Sequence, residues 1–140
     1  MPEHTAIRLY TDGASRGNPG SGGAGAVLFD GCGRVIGTAK KFLGSCTNNE
    51  AEYAALILGL EEARSRGHKT IQIFLDSELL VRQIQGVYRV KNDRLKPLMR
   101  EVRQRLSEFD GYTVAHVPRS ENAMADRLAN EAIDEQLESA

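Results

Sequence analysis

No run of apolar residues in this chain approaches the roughly 18 needed to cross a bilayer, so no transmembrane helix is predicted. The opening residues, Met1-Pro2-Glu3-His4-Thr5, lack the basic and apolar regions of a secretory leader, and a cytoplasmic protein is expected. The chain has two cysteines, Cys32 and Cys46, which in that setting are read as free thiols rather than a disulfide. No histidine–cysteine cluster suggests zinc. The net charge is only −1, so bulk electrostatics give no sign of a polyanionic partner. With 41% hydrophobic and 26% charged residues in 140, the composition suits a soluble globular protein with one domain across residues 1–140.

The charge that is present is unevenly placed. Between Arg82 and Arg105 lie eight basic residues and two acidic ones, a segment of +6 against −7 for the rest. A basic face opposite an acidic pocket suits a polyanionic substrate gripped on one side and metallated on the other. A solvated helix face is the alternative reading of the same run.

The hydrophobic period changes along the chain. A strand is predicted over Ile7–Asp12, then a glycine-rich loop, then strands Ala24–Phe29 and Arg34–Leu43 joined through Asp30-Gly31-Cys32-Gly33, an antiparallel meander. Thr47 followed by Glu50 is a capping box, which predicts a helix running to Arg66 with Gly67 as its stop. A strand over Thr70–Leu75 follows, then a short helix capped by Ser77 and ending near Gly86. A helix with Leu95, Leu98, Met99, Val102 and Leu106 on one face comes next, with Pro97 tolerable only in its first turn. A strand over Tyr112–Val117 and a helix over Asn122–Gln136 complete the order βββαβααβα, with Ala125, Leu128, Ala129 and Ala132 inward. This order predicts an α/β fold with a mixed five-stranded sheet and helices on both faces.

Four carboxylates fall where these elements begin or end. Asp12 and Asp76 close the first and fourth strands, which are natural neighbours in such a sheet. Glu52 heads the apolar stripe Ala55, Leu56 and Gly59, and Asp126 lies in the opening turn of the last helix. Each has a structural alternative: Asp76 as a helix-start acid beside Ser77, Asp126 as a partner of the helix dipole. Four together at the mouths of apolar elements are costly unless cations neutralise them. Hard divalent ions select such oxygens, and two of them roughly 4 Å apart would serve in-line phosphoryl displacement.

These residues also carry a resemblance. Asp12-Gly13 with Gly17-Asn18-Pro19-Gly20, then Thr47-Asn48-Asn49-Glu50-Ala51-Glu52, then Asp76-Ser77, then Asn122-Ala123-Met124-Ala125-Asp126-Arg127-Leu128-Ala129 resemble the type 1 ribonuclease H family, in order and over about residues 6–134. The resemblance implies a ribonuclease H-like catalytic domain with short flexible termini. It implies an endonuclease that cuts the RNA strand of RNA–DNA hybrids, leaving 5′-phosphate and 3′-hydroxyl ends. Mg²⁺, with Mn²⁺ as substitute, would be bound as two ions by Asp12, Glu52, Asp76 and Asp126. Asn18, Asn48 and Asn49 would sit in the hybrid's minor groove, where an amide can meet the 2′-hydroxyl that separates RNA from DNA. Gly13 and Ser15 lie in the backbone stretch that approaches the substrate, and Thr47 would help hold a DNA-strand phosphate.

The chain departs from the family pattern in three places. Glu78 stands where a glutamine is common, which removes a minor-groove contact. Arg119 occupies the loop where many members carry a histidine; His116 lies in the preceding strand and is read as a strand residue, and Arg119 is a candidate contact to the scissile phosphate. The basic, tryptophan-containing protrusion of some members is absent, the connection being only Val87–Asn92, and this chain has no tryptophan. Tyr88, Arg89, Lys91 and Arg94 would then supply the DNA-strand contacts. Other readings stay open here: cleavage of duplex RNA, kinship with integrases and transposases, a hybrid-binding module without catalysis, or a cation-stabilised structural domain. A monomer is the default, since no large apolar surface stripe remains after the core is assigned.

Overall fold

Thr47 is the clearest local device in the chain, and it behaves as its sequence context requires. In the computed structural model, which describes residues 6–139, its side chain accepts a hydrogen bond from the Glu50 N–H at 3.1 Å. Glu50 returns one from the Thr47 N–H at 2.8 Å. The reciprocal pair, a contribution of about 1 kcal/mol, starts helix α1 at Asn48 and fixes the direction in which Glu52 leaves it. The remaining elements are β1 (Arg8–Gly17), β2 (Gly20–Phe29), β3 (Val35–Cys46), α1 (Asn48–Ser65), β4 (Thr70–Leu75), α2 (Glu78–Ile84), α3 (Lys96–Leu106), β5 (Gly111–His116) and α4 (Ala123–Glu138), with a 3₁₀ turn at Arg119–Glu121 before α4. The ends Met1–Thr5 and Ala140, part of the expected flexible termini, lie outside the described residues.

The sheet has the order β3-β2-β1-β4-β5, with β1 to β3 antiparallel and β4 parallel to both β1 and β5. This is the mixed five-stranded arrangement that the element order predicts. Leu9, Ala26, Leu28, Ile71, Ile73 and Leu75 bury one face against α1, α2 and α3, through Tyr53, Leu56, Leu60, Val81, Ile84, Met99 and Val102. Helix α4 covers the other face, with Ala125, Ala129, Ala132 and Ile133 buried and Leu128 only partly so.

The first two strands are longer than predicted. The stretch Gly13–Gly17, read as a loop from its composition, is strand, paired residue by residue with Gly20–Ala24 around the turn at Asn18–Pro19. Asp12 is therefore in mid-strand toward β2, not at a strand end. The glycines mark close helix approach rather than a flexible loop. A Cβ at Gly13 would collide with the backbone of Ala51 and Glu52 in α1, and one at Gly25 with the Ala125 carbonyl in α4. Each of the two helices that carry an acid thus meets the sheet within one residue of that acid.

Candidate active site

Toward β4, β1 does end where the sequence suggests. The β1–β4 pairing runs from Arg8–Gln72 to Thr11–Leu75, and Asp12 and Asp76 are the next residue of each strand. By alternation Leu9 and Thr11 point to α1, whose Gly59 packs on them, while Asp12 turns toward the α4 face. Glu52 comes down from α1 into the gap between the parting strands and accepts the Gly13 N–H at 2.5 Å. Asp12, Glu52 and Asp76 each offer a carboxylate oxygen within 4.8 Å of the others.

Asp126 is outside that set of three. It lies in the first turn of α4, close enough to Asp12 to add to the raising of the Asp12 pKa. Asn130, one turn on, donates its amide to the Asp126 carbonyl at 3.0 Å and to its Oδ1 at 3.4 Å.

Asn122 is a site residue that the sequence reading treated only as a helix start. It is 1% exposed, and its Nδ2 donates both to the Thr11 carbonyl and to Asp76 Oδ2, each at 2.9 Å. Both partners are acceptors, which fixes the amide orientation. Asn122 therefore ties the end of β1, the third acid and the start of α4 together. An Asn before the predicted helix was visible in the sequence, but ordinary capping explains such a residue equally well; here its side chain makes no cap bond.

The electrostatics follow from burial. Asp12 is 4% exposed, and desolvation, reinforced by the charges of Glu52 and Asp76, pushes its carboxyl far up, to about 10. Burial pushes Glu52 up to about 7, while the Gly13 N–H and the nearby Arg119 guanidinium pull it down. Asp12 Oδ2 is buried with no hydrogen-bond partner. An orphaned buried oxygen amid three carboxyls has the chemistry of a ligand awaiting a cation. The donor set, all hard oxygen, fits a divalent metal ion.

The predicted substrate residues fall into two groups. Asn18, Asn48 and Asn49 are exposed, and the first two are adjacent: Asn18 Oδ1 accepts the Asn48 N–H at 3.1 Å. Gly13 lies under Glu52. Ser15 and Thr47 turn their hydroxyls inward, Ser15 to the Gly17 and Cys46 carbonyls and Thr47 to its cap, so both act first as supports. Arg119 is exposed in the 3₁₀ turn and feels the Glu52 charge. Glu78 and His116 are exposed. Tyr88, Arg89, Lys91 and Arg94 are exposed on the connection into α3, and Arg94 reaches back to Glu50 at 3.6 Å. A cavity of about 310 Å³, lined by Arg8, Tyr10, Phe29 and Met124 among others, reaches Asn122 but not Asp12, Glu52, Asp76 or Asp126.

The family model described as Reverse transcriptase-like matches residues 10–132. Ribonuclease HI of Halobacterium salinarum is 41% identical over 129 residues, covering 92% of this chain and 65% of its own length. Bifunctional protein Rv2228c of Mycobacterium tuberculosis is 41% identical over 135 residues, which is 96% of this chain and 37% of that protein. The chain thus spans less than two thirds of either relative. The crystal structure of RNase H1 from the same Halobacterium superposes with a TM-score of 0.91, covering 93% of this chain and 98% of that one. LC11-RNase H1, solved in complex with an RNA/DNA hybrid, is 43% identical with a TM-score of 0.89, covering 94% of this chain and 99% of that one. A family match over residues 10–132, joined by superposition on ribonuclease H structures across more than nine tenths of the chain, makes this chain a member of the type 1 ribonuclease H family.

Proposed function

We propose that this protein hydrolyses the RNA strand of RNA–DNA hybrids, leaving 5′-phosphate and 3′-hydroxyl ends. The observation that carries the reading is the convergence of Asp12, Glu52 and Asp76 within 4.8 Å beside an exposed pair of asparagines, Asn18 and Asn48. The acids have the chemistry to hold Mg²⁺ or Mn²⁺, two ions per site, with Asp126 completing the set from α4. Divalent cations bound there supply charge neutralisation and Lewis-acid assistance to phosphodiester hydrolysis. The protein's own part is placement. Gly13 and Asn122 fix Glu52 and Asp76 by hydrogen bonds, and burial holds Asp12 in the gap. Asn18, Asn48 and Asn49 present amides to sugar hydroxyls and base edges of the minor groove, where RNA differs from DNA. Thr47 and the stretch of β1 around Gly13 and Ser15 support that surface. Arg119, whose charge acts on Glu52, is the residue that meets the scissile phosphate in this reading. Tyr88, Arg89, Lys91 and Arg94 grip the DNA strand in place of a protrusion.

The test is a labelled RNA–DNA hybrid, duplex RNA and duplex DNA, each incubated with Mg²⁺, Mn²⁺ or EDTA. Metal-dependent cutting confined to the RNA of the hybrid, and lost in Asp12→Asn, is expected. Binding of the hybrid without cutting under any metal would reject the hydrolytic reading.

A further inference from the structure

The acid that stands apart from the set of three is held by a network reaching across the molecule. Arg16, near the tip of the β1–β2 hairpin, donates Nη2 to Asn130 Oδ1 at 3.2 Å and to the Asn130 carbonyl at 3.4 Å. Its Nη1 pairs with Asp134 Oδ1 at 2.7 Å. Asn130 in turn directs Nδ2 at the carbonyl and Oδ1 of Asp126. We propose that Arg16 and Asn130 are positioning residues for Asp126, with Arg16 fixing which end of the Asn130 amide faces that carboxyl.

The two ends of an amide are nearly alike in shape and opposite in chemistry: one oxygen accepts, one nitrogen donates. A guanidinium has donors only, so Arg16 selects the oxygen end of Asn130 and leaves the NH₂ for Asp126. Turned the other way, the amide oxygen would face the Asp126 carboxylate and repel it. Asp134 completes the arrangement by holding the guanidinium. Partners behind a metal-binding carboxylate orient it, and losing one typically weakens metal binding or turnover by about 10- to 100-fold. The inference rests on Asp126 serving the metal site, as proposed above.

A purely structural role would be to fasten α4 to the sheet, and the fold provides a control for that. Lys40 on β3 pairs with Glu135 at 2.6 Å and Glu131 at 3.4 Å, farther along the same helix. The experiment compares Arg16→Ala, Asn130→Asp, Lys40→Ala and Asp126→Asn by Mn²⁺ calorimetry on the metal-free protein, hybrid turnover and thermal melting. Asn130→Asp keeps the acceptor for Arg16 and removes the donor to Asp126. Arg16→Ala and Asn130→Asp are expected to weaken Mn²⁺ binding about tenfold and lower kcat about tenfold, with KM within about twofold. Lys40→Ala should lower the melting temperature at most, with Mn²⁺ affinity and kcat unchanged. Equal losses in Lys40→Ala and Arg16→Ala would overturn the proposal, since helix fastening alone would then explain them. Wild-type affinity and kcat in Arg16→Ala and Asn130→Asp, with Asp126→Asn impaired, would overturn it while sparing the metal role of Asp126. An unimpaired Asp126→Asn would remove both.

Discussion

At the acid end, Asp12 is 4% exposed and keeps one oxygen without a partner; in the basic segment, Tyr88 is 50% exposed and Arg89, Lys91 and Arg94 stand in solvent. Both regions concentrate one sign of charge. The difference is dielectric. Acids pressed together at the parting of β1 and β4 interact strongly with one another and with whatever neutralises them, because little water screens them. The basic side chains are separately hydrated, and contacts between such exposed cations and a polyanion are individually weak and salt-sensitive. Substitutions should therefore give large, unequal and mutually dependent effects in the first region, and small, additive ones in the second.

The largest separation comes from Asp12→Asn. Loss of the buried carboxylate should reduce hybrid hydrolysis by about 10²- to 10³-fold, the range found when a preorganised electrostatic group is removed from an active site. In EDTA the same variant should be more stable than the wild type by about 1–2 kcal/mol, because an amide relieves the repulsion and desolvation of a crowded carboxyl. Single-turnover cleavage and urea unfolding in EDTA measure the two effects. A variant that loses activity and also stability would show that Asp12 is a structural element rather than a metal-dependent liability.

The pH dependence of the metal-free protein tests the same region without mutation. The folded-state pKa is raised from 4.5 to about 7 for Glu52 and from 3.8 to about 10 for Asp12. Between the unfolded and folded values the folded chain binds more protons, so stability falls as pH rises. The contribution is fully present below about pH 4 and is lost progressively through the window up to the folded pKa values. Unfolding in EDTA should show stability falling steadily from pH 5 to pH 8, and saturating Mg²⁺ should reverse most of the loss. A flat profile would mean that the crowded acids are relaxed by solvent in the metal-free state.

Asn122→Ala should have a middle-sized effect. It removes the donor to the Thr11 carbonyl and to Asp76, and each bond spans a long stretch of sequence. A cost of about 1–2 kcal/mol in stability is expected, with a reduced kcat, since Asp76 loses its orientation. Asn122→Asp should be worse for turnover, because it sets a carboxyl against Asp76 in a buried position. Melting temperature and kcat, measured on both variants, check this.

How much of this was readable beforehand depends on the range of the interaction. The Thr47–Glu50 box, the Ser77 cap and the Thr70–Leu75 strand are local, and each appears where its own residues place it. Of the four acids singled out in the sequence, Asp12, Glu52 and Asp76 converge, although Asp12 stands within β1 rather than at its end and Asp126 lies outside that set. The full length of β1 was not, since glycines that admit α1 and α4 against the sheet look, in a linear sequence, like a loop. Nor were Asn122, Asn130 and Arg16. Asn and Arg are ordinary surface residues by composition, and their partners lie 46, 111 or 114 positions away or depend on which helix face meets the hairpin. Only the packed geometry shows which amide is committed and in which orientation.

The smallest effects belong to the basic segment. Arg89→Ala, Lys91→Ala and Arg94→Ala should each raise KM for the hybrid by about two- to fivefold and lower the salt slope by about 1, with kcat unchanged. Their energies should add in the triple variant, because the exposed side chains share no partner among themselves. Arg94 provides the sharpest check on the contrast. Its 3.6 Å pair with Glu50 is largely solvent-exposed on the arginine side, so breaking it should cost little stability even though Glu50 belongs to the α1 cap. If Arg94→Ala instead lowered kcat, the basic segment would have to act through the capped end of α1 on Glu52, and the two regions would be coupled rather than separate.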